Sequence, residues 1–505
     1  MSVERRFAEG RFTTLKRLIP GDSADTVLLG ALIAIVLVLV AAGASLATWG
    51  TPGWGSPMQI PRQGLGTQIL DDVVMNRAGD GFAAWTQARD DGYQVEVAQF
   101  LPDSGWGLGI PVDQGVGFGQ AKVARLEVSE AGDAFVVWTE LVTPAEIWSN
   151  RFLSGKGWGS PTLLHRVDNA RIVKMVTAMD EWGNGIVLWS QGEPDPVNGG
   201  EVGRLYASRM DRFTGWESPI AVGTGWASDV VLLDNGTAMG VWAATSGAFN
   251  LLGRGPPEGP WSSPVTLNPA GSGEGGSRVC MTGEGRLLAV WEEWKDNMFS
   301  LWSSAFADAS GWSPPEPLPT ISGGSVFGDL ACTRKGDAVV LSISYPSAER
   351  LLLATWWNVT TGWSKPLPIG TPIATGASWP RVAVDGRGDA AAVWWQLGDV
   401  PHAFVSQFAK DSSQISAVQL DPTGPAGGAG GPQVDMDASG DILVAWNQGS
   451  GPGEEVWANR YFVPDSGMPR IPVLTLSGVI TAAAATSGAT AWWWRRALRG
   501  SQPGS

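Results

Sequence analysis

The sequence predicts an all-β fold, an eight-bladed β-propeller of four-stranded blades flanked by N-terminal and C-terminal transmembrane helices. Three observations predict it. A tryptophan-marked unit recurs eight times at intervals of 49 to 53 residues, a glycine turn recurs in step with it, and two long apolar segments bracket the repeats.

The unit reads as an apolar strand, a Gly-Asp turn, a second apolar strand ending in Trp, a polar loop, a third strand, and then Gly-Trp-x-x-Pro. The second copy shows it most clearly, as ARLEVSEAGDAFVVWTE followed by EIWSNRFLSGKGWGSPTLL. The second-strand position is held by Trp85, Trp138, Trp189, Trp242, Trp291, Ser342, Trp394 and Trp446. The turn glycines are Gly79, Gly132, Gly183, Gly236, Gly285, Gly336, Gly388 and Gly440, where a tight hairpin needs a residue free to take positive φ. A four-stranded unit of this size is one propeller blade, and it buries both faces only by stacking against neighbours.

The fourth-strand tryptophans are Trp54, Trp106, Trp158, Trp216, Trp261, Trp312 and Trp363; the series lapses near Ile415, and Met468 stands where the last is due. That series starts before the first complete unit. Residues 53–61, GWGSPMQIP, are therefore expected to supply the outer strand of the last blade, hiding an open sheet edge. In the alternative the last unit completes itself with MPRIP.

The predicted layout is a basic cytoplasmic segment 1–26, a membrane anchor or signal sequence 27–49, the propeller 50–470, a C-terminal transmembrane or sorting tail 471–494, and a basic end 495–505. Val27 to Trp49 is long enough to cross a hydrocarbon layer of roughly 30 Å. Arg5, Arg6, Arg11, Lys16 and Arg17 precede it and keep the N-terminus cytoplasmic, so the chain beyond Trp49 is exported across a bacterial-type envelope. The same run also satisfies a signal peptide cut after Ala44 or Ala47. Ile471 to Trp494 ends on three tryptophans followed by Arg495, Arg496 and Arg499, which suits a second crossing; a soluble C-terminal helix is the alternative.

Composition narrows the function. With 68 glycines, 28 tryptophans and 4 tyrosines in 505 residues, the chain favours short turns and one recurring structural aromatic. A net charge of −15 argues against nucleic-acid partners. Two histidines and two cysteines offer no ligand cluster, so no metal or other cofactor is expected. Cys280 and Cys332 lie eleven and ten residues before their reference positions, on opposite strand faces, so no disulfide between blades is expected.

The units resemble the repeats of uncharacterised bacterial exported propellers, through DGRGDAAAVW (385–394), SNRFLSGKGWGSP (149–161) and ANRYFVPDSG (458–467). The resemblance implies fold and export, and that family brings no activity with it. A distant resemblance to sialidase-type propellers lacks the S-x-D-x-G-x-T-W order.

Thirteen residues before the reference tryptophan stand Asp72, Arg125, Val176, Asp229, Arg278, Asp329, Arg381 and Gln433. Apolar residues succeed them at alternate positions, as in a strand with one face packed. If that strand is innermost, Asp72, Arg125, Asp229, Arg278, Asp329 and Arg381 lie near the channel mouth, where the arginines can clamp a carboxylate or sulfate. The competing reading is an Asp-Arg belt that only links blades. Acidic residues, among them Glu146, Glu193, Glu201, Glu292, Asp296 and Glu455, crowd the loops on the same side and either attract cations or keep the surface soluble.

Arg387-Gly388-Asp389 falls on the repeated turn and reads as structural. The leading function is an extracytoplasmic binding or scaffold module for a glycan, peptide or envelope protein. Its rival is a sialidase-like or other carbohydrate-active enzyme on an anionic glycan, drawing on the arginines and on Tyr93, Tyr206, Tyr345 or Tyr461.

Overall fold

The computed structural model describes residues 53–463 except 65, 91, 115–120, 141–143, 168–169, 196–198, 245–249, 258, 268–272, 322, 346–349, 371–376, 399, 411, 413–415, 422–427 and 450–452. The apolar segments 27–49 and 471–494 lie outside the described residues. Among those described, no helix is long and apolar enough to cross a membrane.

Eight antiparallel sheets succeed one another along Trp54–Val463. Blade two is representative: Ala121–Val128, Ala134–Glu140, Ala145–Leu153 and Gly157–Trp158 pair in chain order. Its outer strand resumes at Thr162–Val167 after Pro161, which has no N–H to give the ladder. In blade eight the strands Ala429–Met436, Ile442–Gln448 and Glu455–Phe462 are completed by Gly53–Trp54 and Met58–Gln59 from the other end of the propeller sequence.

Packing closes the ring. Each of eight buried apolar clusters is built by two consecutive blades. Phe82 and Val97 of blade one meet Leu126 and Trp138 of blade two, and the series ends with Leu443 and Ala445 of blade eight against Leu70 and Trp85 of blade one. The reference tryptophans Trp85, Trp138, Trp189, Trp242, Trp291, Trp394 and Trp446 are at most 1% exposed, and each faces the preceding blade.

Most of the hairpin turns are fixed by the side chain of the residue that opens them. The Oδ1 of Asp385 accepts from the N–H groups of Arg387, Gly388 and Asp389, so the Arg-Gly-Asp sequence is a turn held by the aspartate two residues before it. Asn76, Asp180 and Asp437 act in the same way in their blades.

One expectation fails. Cys280, in the first strand of blade five (Gly273–Gly283), and Cys332, in that of blade six (Gly324–Cys332), form a disulfide with Cα atoms 5.9 Å apart. Opposite strand faces do not forbid it. Blades stack face to face, so residues that meet across a junction come from opposite faces of equivalent strands. This is also the junction where tryptophan gives way to Ser342.

Candidate functional site

Every first strand carries a bulge of one residue at its mouth-side end. The register breaks between Leu70 and Asp72, Ala121 and Ala124, Ile172 and Lys174, Ala227 and Asp229, Glu274 and Ser277, Phe327 and Asp329, Ser378 and Arg381, and Gly430 and Gln433. A bulge bends the strand and re-aims the side chain beside it. In blades one to seven that side chain is the charged residue or lies next to it; in blade eight it is Gln433, two residues before Asp435.

The first strands touch one another in order, and the eighth touches the first. Their charged groups share one central lumen: Arg278 of blade five feels Asp72 of blade one opposite it, and Lys174 of blade three feels Arg381 of blade seven. Lys174 is open to solvent yet ringed by protein, as befits the wall of a lumen rather than an outer surface.

The aspartates are committed to structure. Asp72 Oδ2 accepts from Leu126 N at 3.1 Å, Asp229 from Val279 N at 3.0 Å, Asp329 from Val382 N at 3.1 Å and Asp435 from Met75 N at 2.7 Å. Each bond crosses to the next blade. Glu127 serves the second junction by accepting from the Thr177 hydroxyl at 2.8 Å.

The cations are not committed in the same way. Arg278 ion-pairs with Asp329 at 3.6 Å and with Asp229 at 3.9 Å. Arg125 and Arg381 instead touch only backbone carbonyls, Ala124 O at 2.9 Å and Pro380 O at 3.5 Å, and no ion pair engages either of them or Lys174 among the described residues. The belt therefore links blades through aspartate-to-amide bonds and leaves most of its guanidinium donors free.

Burial shifts this belt toward positive charge. It raises the carboxyls of Asp72 and Asp229, pushes Asp71 and Asp435 to about 7, and pushes Glu127 to about 8. Burial and the nearby Arg278 lower Lys174 to about 8, so it still carries its proton near neutrality. Lys174, Glu127, Asp71 and Asp435 escape a count at one fixed offset, although Lys174 and Asp435 stand two positions from the counted Val176 and Gln433, on the same strand face.

At the turn end, ion pairs lace across the axis. Arg77 of the first turn meets Glu130 and Glu181 of the second and third, and Arg334 of the sixth meets Glu181 and Asp234. A link between turns three and six crosses the opening, so the lumen is a cup. At the mouth end, the acidic rim is mostly spent: Glu146 pairs with Arg166, Glu193 with Arg204, Glu201 with Arg171 and Glu455 with Arg62. Glu292 is buried and accepts from backbone N–H groups. Among the described residues, no cluster of His, Cys, Asp and Glu has the form of a metal site.

At the same mouth, Trp379 sits in the blade-seven bulge two residues before Arg381. It is 67% exposed, its φ is +49°, and its ring packs edge-on against Trp395 at 6.3 Å. Pro380 lies against Gly328 of blade six, where a Cβ would come within 2.6 Å of the proline ring.

Fold and site together define an eight-bladed β-propeller with a charged central cup. No protein-family model matches the sequence, and no curated protein matches it. Solved structures similar to it include the BP39L lectin of Burkholderia pseudomallei, 11% identical with a TM-score of 0.49, covering 71% of this chain and 100% of that one. The ulvan lyase of polysaccharide lyase family 25 is 12% identical with a TM-score of 0.41, covering 81% and 94%. The intramolecular trans-sialidase of Ruminococcus gnavus is 11% identical with a TM-score of 0.38, covering 69% and 96%. No residue role is carried over from them.

Proposed function

We propose that this protein is a membrane-tethered, extracytoplasmic binding module whose central cup takes a carboxylate or sulfate group of an anionic glycan. One observation carries the reading: Arg125, Lys174 and Arg381 present cationic groups to the lumen while the neighbouring aspartates are occupied by backbone amides. A carboxylate or sulfate entering the cup meets donors that no carboxylate among the described residues holds in an ion pair. The exposed Trp379 beside Arg381 offers a face on which a sugar ring can stack. Membrane tethering rests on the apolar segment 27–49 and its basic flank, and export is supported by the Cys280–Cys332 disulfide, a bond that persists in oxidising compartments.

The four tyrosines argue for binding over sialidase-type catalysis. Tyr93, Tyr206 and Tyr461 lie on third strands and Tyr345 ends a second strand, so none stands on the innermost strands that carry the arginines.

The test is calorimetric titration of the full-length chain with oligogalacturonate, a sulfated oligosaccharide and a neutral oligosaccharide of equal length. An anionic probe is expected to bind more tightly than the neutral one, with Arg125→Ala and Arg381→Ala each weakening its binding by roughly tenfold or more at unchanged thermal stability. Binding that ignores both substitutions, or no binding of either anionic probe, overturns the proposal.

A further inference from the structure

A second site lies away from the cup, where blades five and six meet at the mouth face. The second and third strands of blade five, Arg286–Lys295 and Met298–Ala307, are joined by a two-residue hairpin, Asp296-Asn297. Both residues take positive φ, at +51° and +62°. Glycine is the least costly occupant of such a turn. Here two polar side chains stand instead, and both line a cleft of about 410 Å³.

The cleft has aromatic walls. Trp294 and Phe299 pack at 4.5 Å between ring centroids on the blade-five side, and Tyr345 stands on the blade-six side with Gly324 and Val326 between. Trp294 is 39% exposed and Tyr345 36%, so both rings offer open area. Gly324 sits under Met298, where a Cβ would come within 3.1 Å of the methionine side chain. Glu292, on the same strand as Trp294, fixes the floor by accepting from the N–H of Phe327 across the junction.

The polar groups around this cleft contrast with the rest of the rim. Elsewhere on the rim, Glu146, Glu193, Glu201 and Glu455 are each bound in an Arg-Glu pair. Among the described residues, the side chains of Trp294, Asp296, Asn297 and the Tyr345 hydroxyl make no hydrogen bond or ion pair, and Arg350 only lies over the Tyr345 ring at 5.4 Å. The junction also breaks the repeat, with Ser342 in place of tryptophan.

We propose that this cleft is a subsite for a single uncharged pyranose ring, independent of the anion-binding cup. The volume falls within the roughly 300–1,000 Å³ of small-ligand sites. A pyranose offers an apolar C–H face to Trp294 or Tyr345 and hydroxyls at its edge to the Asp296 carboxylate, the Asn297 amide and Arg350. A purely aliphatic ligand leaves those polar groups desolvated without partners, and an anion meets Asp296. A hydroxylated ring satisfies both halves of the cleft.

Saturation-transfer NMR on the full-length chain with the methyl glycosides of glucose, galactose, mannose and N-acetylglucosamine tests this. At least one glycoside is expected to receive transfer at its ring C–H protons, and Trp294→Ala is expected to weaken it roughly tenfold or more. Asn297→Gly keeps the hairpin conformation while removing the amide, and is expected to weaken binding by severalfold without lowering thermal stability. Arg381→Ala in the cup is expected to leave glycoside binding unchanged, which separates this site from the proposed anion site. No transfer to any of the four glycosides, transfer indifferent to both cleft substitutions, or capture of an aliphatic alcohol in preference to the glycosides overturns the proposal.

Discussion

Asp229 shows how a single carboxylate can look like a ligand-binding group and act as a latch. It accepts from the N–H of Val279 on the next blade and lies beside Arg278. Asp229→Ala therefore strands a backbone donor and removes one of the two carboxylates near Arg278. The expected loss is about 2–3 kcal/mol of unfolding free energy, with Asp229→Asn losing less because an acceptor remains; urea denaturation of both variants measures it. Glu127 adds a dependence on pH. Burial raises it from 4.5 to about 8, against the Thr177 hydroxyl bond, so the folded state keeps a proton that the unfolded chain gives up. Its stabilisation is complete below 4.5 and is lost as pH rises through about 8. Melting curves across that window are expected to fall less steeply for Glu127→Gln than for the natural chain, and equal slopes would refute the assignment. Anion affinity in the cup moves in the same sense, since Lys174 loses its proton through about 8 while Glu127 gains charge. Six of these charges are legible as a fixed offset from the tryptophans. Their division of labour is not, because whether an aspartate faces an arginine or an amide depends on the bulge beside it.

At the scale of the strand and blade, the period in the sequence reports the packing directly. A tryptophan recurs because each blade must fill the same gap against its predecessor, and the turn glycines recur because each hairpin needs the same positive φ. Trp138→Ala is expected to cost about 3–5 kcal/mol, as for a buried large side chain whose cavity cannot collapse, and also removes the donor that Glu140 holds at 3.0 Å. Ser342 marks the one junction without that tryptophan, and the disulfide stands there. The cysteines are visible in the sequence, but a parity count within a strand treats all blades as one sheet. Stacked sheets meet through opposite faces, so the same count supports the bond once the geometry is known. The link spans 52 residues, which in the loop-closure account stabilises by about 4 kcal/mol at most. Cys280→Ser is expected to lower the urea midpoint, and a reductant is expected to reproduce that shift in the natural chain and leave the variant unmoved. A midpoint insensitive to both treatments would show that the bond contributes no stability.

Across the whole molecule, stability depends on closure, because no blade has a free face and each junction is held by one apolar cluster. Blade eight is the exposed point in that arrangement: its outer strand is Gly53–Trp54 and Met58–Gln59, hydrogen-bonded to Glu455–Phe462 from the far end of the chain. Ile60, fully buried, anchors this segment within the cluster shared by blades eight and one, and Trp54 packs against Tyr461 at 5.5 Å. Removing residues 53–61 therefore does more than shorten an end. It uncovers a full strand edge at Glu455–Phe462, opens the cluster between the first and last blades, and leaves unpaired amides able to pair with another copy. A chain lacking only these nine residues is expected to melt at lower temperature and to elute as oligomers in size-exclusion chromatography. Double substitution of Trp54 and Ile60 by alanine, which keeps the backbone able to pair, is expected to lower the melting temperature while leaving the protein monomeric. If the shortened chain stays monomeric and as stable as the natural one, the junction between first and last blades contributes nothing, and a ring held only by the other seven would have to account for the fold.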